Sequence, residues 1–380
     1  MKGDKEGSNS VDLPVRRRSG HEDRSHKLPP SKSTFHKDTD ITFRNHGHLG
    51  LSGEMPFRPL WLNWTLKFLN SDLSALTLFT DCIPRDVLHN TLSNIYLPAL
   101  AVLSLYDKTI SFDALGVFLQ RHSSTLTNLS LFIERPDSSQ PVDPASVTRR
   151  NRIFAKQRVA FDFPKLESLS SNPFCIQWLF KGILSFRPPA SGIRSKLSKS
   201  RPHAHLPKLS MLSISSYLRF SESGFFPRLD SAFQTLAEFV KLASPHTTDA
   251  LPPENAWFSV MSLNAEVIDE QSHIEWLQSH VSQGATSPLL ALHTVSDLCL
   301  NPTTTLGPGG LRALPKFLAL FKGLKKLTLT LRSTDALKKL DTDFWKAFRQ
   351  DCPGLETLVL QTPPAVVQVT MESLIDGTAF

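Results

Sequence analysis

The cysteines and histidines are the side chains best suited to metal or nucleophilic chemistry. Cys82, Cys175, Cys299 and Cys352 form no CxxC pair and have no histidine at zinc-finger spacing. They read as reduced thiols, and Cys299, set between two leucines with no base near it, as inert. His273 with Glu275 and His203 with His205 are the nearest pairs of titratable groups, but residues two apart on a helix do not face one another, so they read as surface positions. The GxSxG, HExxH and kinase motifs are absent. The run Gly307–Gly310 has neither GxGxxG spacing nor a P-loop lysine, and reads as a turn and helix start. No catalytic residue, metal or cofactor is expected, and the chain reads as a non-enzyme.

Basic side chains offer a different chemistry, the binding of phosphates or acidic surfaces. The net charge of +7 is unevenly placed: residues 144–221 hold 14 Lys/Arg against Asp162 and Glu167, so the rest of the chain is mildly acidic. Arg149, Arg150, Arg152, Lys156 and Arg158 form one cluster; Arg194, Lys196, Lys199 and Arg201 form another. Few aromatics interleave with the second, so it lacks a stacking platform for single strands. The bland reading is a pair of solvated loops near 135–160 and 185–205; nucleic-acid or anionic-surface binding is the alternative.

The elements that would carry these residues come from a recurring LxxLxL pattern. It stands at Leu73, Leu76, Leu78; Leu100, Leu103, Leu105; Leu126, Leu129, Leu131; Leu209, Leu212, Ile214; Val295, Leu298, Leu300; Leu324, Leu327, Leu329; and Leu355, Leu358, Leu360. Weaker copies are Leu166 with Leu169, and Val260 with Leu263. The outer copies recur every 26 to 31 residues, close to the period of a leucine-rich repeat, and the middle ones are farther apart. Amphipathic helical patterns lie between them, as in "SFDALGVFLQRH", with Ser111 or Asp113 as N-cap. "RPLWLNWTLKFLNS" reads as an opening helix. One strand and one helix cannot bury their leucines alone, but stacked copies can. The expected fold is an α/β, irregular right-handed solenoid, with a parallel sheet on its concave side and helices on its convex side.

The stretches "LPALAVLSLYDKTISFDALGVFLQRHSSTLTNLSL", "ALPKFLALFKGLKKLTLTL" and "FRQDCPGLETLVL" resemble the leucine-rich-repeat portion of fungal F-box proteins, over about Phe57 to Thr362. In that family a helix ending in "FLxRH" or "xxCPxLxxLxL" leads into each strand. The resemblance implies a substrate receptor of a cullin-type ubiquitin ligase. The F-box itself, the module that docks the ligase adaptor, is not detectable: Leu28, Pro29 and Pro30 match its usual opening, but no helical periodicity follows.

In LxxLxL strands the aliphatics point to the core, so the alternate residues should line the open sheet face in three columns. One column begins Phe79, Tyr106, Phe132, with Thr77, Ser104, Asn128 and Ser130 beside it, which suits an apolar anchor for a protein partner. The opposing reading has these aromatics capping the core under the following loops. Toward the other end Asn264, Glu266, Asp297, Cys299, Asn301, Lys326, Thr328 and Thr330 make the columns polar. Residues 1–50, which include Arg16, Arg17 and Arg18, read as a disordered polar tail, 51–362 as the array, and 363–380 as a C-terminal cap or tail. No secretory signal or membrane span is legible, which places the chain in the cytoplasm or nucleus.

Overall fold

In the computed structural model the described residues are 39–44, 48–53, 73–79, 83–107, 110–133, 160–185, 208–215, 225–243, 258–264, 270–301, 308–331, 342–362 and 365–376. Twelve strands form one sheet: β1 Thr39–Arg44, β2 His48–Gly53, β3 Ala75–Phe79, β4 Val102–Asp107, β5 Asn128–Ile133, β6 Ser168–Ser171, β7 Met211–Ser215, β8 Val260–Asn264, β9 Asp297–Leu300, β10 Lys326–Thr330, β11 Thr357–Thr362 and β12 Ala365–Thr370. Each strand neighbours the next one in sequence. Pairing is parallel from β2 through β11, and an antiparallel strand closes each end. Eight helices are described: α1 Arg85–Asn94, α2 Phe112–His122, α3 Pro173–Leu184, α4 Phe225–Ala243, α5 Glu270–Gln283, α6 Pro308–Leu318, α7 Thr342–Asp351 and α8 Met371–Ile375. The fold is α/β, as the alternating strand and helix patterns require.

The leucines of the pattern are the core. Leu76, Leu103, Leu129, Leu169, Leu212, Met261, Leu298, Leu327 and Leu358 lie in one register line of buried side chains running from β3 to β11. Two sets of backbone bonds hold the turns before the strands. A tight turn delivers the first aliphatic of several copies, with Leu100, Leu166, Val295, Leu324 and Leu355 each donating to the carbonyl three residues earlier. The carbonyls of Ser74, Ala101, Thr127, Glu167, Ser259, Ser296 and Lys325 each accept two successive N–H groups from the next turn, at 2.7 to 3.1 Å. In the widely spaced middle copies Ser210 O accepts one such backbone N–H, that of Val260, and strand pairing continues through them.

The phrases between helix and strand also have physical reasons. Arg121 donates to Ser93 O and Ile95 O at the end of α1, satisfying carbonyls near a helix terminus. The ring of His122 bridges Phe118 O and the Leu97 N–H, and burial holds its pKa below the usual value. Cys352 of the CPxL phrase takes the place that Leu97, Phe163, Leu292 and Phe321 take elsewhere. It is buried, with its thiol 3.2 Å from Pro315 O and its pKa pushed up to about 12 by desolvation. Pro315 sits inside α6.

Several expectations need correction. Residues 39–44 and 48–53, placed in or beside the polar tail, form the antiparallel pair β1 and β2. The alternation Ile41, Phe43 and Leu49, Leu51 carries that signal, and averaging over fifty polar residues hides it. The copy aligned on Val260 and Leu263 is set differently: Phe258, Met261 and Leu263 are the inward residues, and Val260 pairs with Met211 on the other face. Ser171 occupies an aliphatic position in β6 and is fully buried, its hydroxyl donating to Leu131 O at 2.6 Å. The C-terminal segment expected as a cap or tail contributes β12 and α8. Residues 1–38, the opening helix expected at 58–71, and residues 134–159 and 186–207, which take in nearly all of the insertions expected near 135–160 and 185–205, lie outside the described residues, as does Cys82.

Candidate functional site

Strand register builds the open face column by column. Ala75, Val102, Asn128, Ser168, Met211, Val260, Asp297, Lys326 and Thr357 form the first column. The second runs Thr77, Ser104, Ser130, Ser170, Ser213, Ser262, Cys299, Thr328 and Val359. The third begins Phe79, Tyr106, Phe132 and resumes at Ser215 and Asn264, then at Thr330 and Gln361. No position of these columns from β3 to β8 carries a charge. The first charges are Asp297 and Lys326, which pair with each other at 2.6 Å.

The aromatic trio is brought together as parallel-stacked rings. Phe79 and Tyr106 have centroids 4.5 Å apart at an interplanar angle of 7°, and Tyr106 and Phe132 are 5.2 Å apart at 10°. The near-parallel stacking follows from the register, since strand neighbours lie about 4.8 Å apart. Exposure declines along the row. Phe79 is 38% exposed, Tyr106 is half-buried and Phe132 is only 7% exposed, so the core-capping reading applies at Phe132 and the open-surface reading at Phe79. Thr77, Ser104 and Ser130 sit in the adjoining column, while Asn128 lies in the first column, exposed, and accepts a hydrogen bond from Thr127.

The row ends where β6 ends. Asn172, the residue after that strand, donates to Ile133 O at 2.8 Å and accepts the Cys175 N–H at 2.9 Å as the N-cap of α3. The hydroxyl column continues beyond Ser130 through Ser170, Ser213 and Ser262, residues that the sequence pattern alone does not single out. Its signal is a serine directly after the first inward apolar residue of each of these strands, Leu169, Leu212 and Met261. Asn264 donates to Ser213 Oγ and accepts from Ser262 Oγ, linking the second and third columns. Cys299 is half-buried among these groups, and its pKa is raised chiefly by desolvation. Glu266, Arg149, Arg150, Arg152, Lys156, Arg158, Arg194, Lys196, Lys199 and Arg201 lie outside the described residues.

Two histidine arrangements in the helix layer were not foreseen. His273, expected at the surface, is buried: it stacks on Phe226, lines an apolar cleft with Ile214, Leu263 and Leu300, and its Nδ1 has no hydrogen-bond partner. Desolvation pushes its pKa down to about 4. His280 joins distant residues, with Nε2 2.9 Å from Asp230 Oδ1 and Nδ1 3.3 Å from Ser287 Oγ. The Ser–His–Asp order has the composition of a hydrolytic triad, but both Ser287 and His280 are buried. The same Asp230 oxygen also accepts the Trp276 indole N–H at 2.7 Å. The cluster ties α4 to α5 and to the turn that follows α5, with its hydroxyl under packed side chains where a substrate carbonyl has no approach.

Among the described residues no helix is long and apolar enough to cross a membrane, and no group of three or more His, Cys, Asp or Glu is placed to hold a metal ion. No family model matches the chain, and no curated protein matches it.

Proposed function

We infer that the chain is a non-enzymatic recognition module, an irregular right-handed leucine-rich-repeat solenoid that holds a protein partner on the concave face of its sheet. The in-register stack of Phe79, Tyr106 and Phe132 beside a column of small hydroxyl side chains is the observation that supports this reading. An aromatic anchor ringed by small hydrogen-bonding groups is the composition of an interface hot spot. The lack of charge at the described positions of the three columns between β3 and β8 favours a partner patch that is itself uncharged, because an ion buried there would lose hydration without gaining a counter-charge. The repeat reading draws on the sequential parallel strand order and the recurrent turn bonds. In line with the family resemblance, the partner is a substrate presented to a cullin-type ubiquitin ligase, in the cytoplasm or nucleus.

The test is co-purification with the intact chain, comparing wild type with Phe79→Ser/Tyr106→Ser. Phe132 is left in place because its burial makes it part of the fold as well as of the row. Recovery of the partner should fall by more than about tenfold while the thermal melt is unchanged. Co-purification of the ligase adaptor would support the receptor role, and an identical partner set in both samples would refute the site.

A second reading rests on the charge of residues 144–221, where 14 basic residues meet two acidic ones. Here the chain binds nucleic acid or an anionic surface through counterion release, with steep salt dependence. Unchanged retention of RNA, DNA and anionic lipid after deletion of residues 185–205 would dispose of it.

A further inference from the structure

The two ends of the sheet differ in how they are protected. A terminal strand exposes one row of backbone N–H and C=O groups, and soluble proteins usually blunt such an edge with charge, proline, a bulge or a covering element. β1, TDITFR, carries Asp40 and Arg44 in its sequence. β12, AVVQVT, carries no charge and no proline, and its register with β11 runs from Ala365 to Thr370 without a bulge. Four of its six residues are β-branched, so it has the composition of a strand that readily accepts another strand.

Among the described residues, the element after β12 leaves this edge open. Helix α8 turns back toward the helix layer, where Leu374 joins the core and Glu372 lies 3.6 Å from Arg349 of α7. On the strand itself, Val369 packs inward with Leu358, whereas Val366 is 66% exposed and Gln368 is also exposed. No described residue pairs with the outer side of β12.

We propose that β12 is a self-association edge, pairing antiparallel with β12 of a second copy to continue the sheet across a two-fold axis. A second copy is the occupant that suits this edge because the strand is self-complementary. Any antiparallel register sets only Ala, Val, Gln and Thr opposite one another, so no like charges meet and no buried charge is left unpaired. One short strand per copy is a small contact beside the roughly 1,200 Å² of a stable complex, so the dimer is weak and concentration-dependent. This inference is independent of the partner-recognition reading.

Sedimentation velocity of the full chain from about 10 to 300 µM tests it, since that range brackets weak, small interfaces. Wild type should shift toward twice the chain mass as concentration rises. Val366→Lys/Gln368→Lys should remain monomeric, because antiparallel pairing would set lysines beside lysines, and Val366→Glu/Gln368→Glu should do the same. An equimolar mixture of the two variants should associate again, an outcome that misfolding of either one would not produce. A wild type monomeric throughout, association insensitive to the added charges, or a mixture that stays monomeric would each overturn the proposal.

Discussion

At the scale of single residues, burial decides what a side chain can do, and His273 is the clearest case. Its imidazole packs against both Phe226 and Trp276 with Nδ1 unpartnered, and desolvation pushes its pKa down to about 4. The native state therefore keeps this ring neutral, while the unfolded chain protonates it near pH 6.5. The linkage sign follows: the contribution is fully present above about pH 6.5 and is lost progressively as pH falls toward 4, because the unfolded state binds the extra proton. Between pH 7 and pH 5 the loss should be roughly 2 kcal/mol. Urea midpoints of wild type and His273→Phe at the two pH values check it. The variant should lose less stability on acidification, with the slope from His122, also lowered by burial, remaining. Equal losses in both proteins would mean that this ring does not stay neutral in the fold.

At the scale of elements, the turns that feed the strands are as constraining as the leucines. Gly323 precedes β10, and a Cβ added there would overlap the carbonyl oxygen of His293 in the preceding turn. No side-chain rotation relieves a clash with backbone. Gly323→Ala should therefore destabilise by about 1–3 kcal/mol, the usual cost of forced overpacking, and should lower the melting temperature by several degrees. A melt equal to wild type would show that the two turns can separate without cost. Legibility in the sequence followed similar lines. Strands with Leu or Ile at every inward position, such as β4 and β10, were plain from spacing alone. β8 departs from the LxxLxL alignment because Phe258 and Met261 stand where the pattern has Leu or Val, and β6 hides a buried Ser171 whose hydroxyl donates to a strand neighbour forty residues earlier. The aromatic row was legible because it falls in three well-formed copies. The burial of Phe132 was not, because it depends on what packs over the row.

At the scale of the whole molecule, the continuity of the sheet means that sequence spacing and spatial spacing are decoupled. Helix α2 ends at His122 and β5 begins at Asn128, so five residues bridge helix and strand; between α3, ending at Leu184, and β7, beginning at Met211, the chain has 26. The two connections play the same part in parallel steps of the sheet, and the register of β6 with β7 is as regular as that of β4 with β5. Length beyond the first case is therefore not required to close the step. Loop-closure entropy changes slowly with loop length, so removing it alters stability by less than about 1 kcal/mol. Deletion of residues 187–204 should thus leave the circular dichroism spectrum intact and the melting temperature within a few degrees of wild type. Loss of cooperative unfolding in that variant would mean that the segment contributes to the core, and the decoupling of chain length from stacking would fail with it.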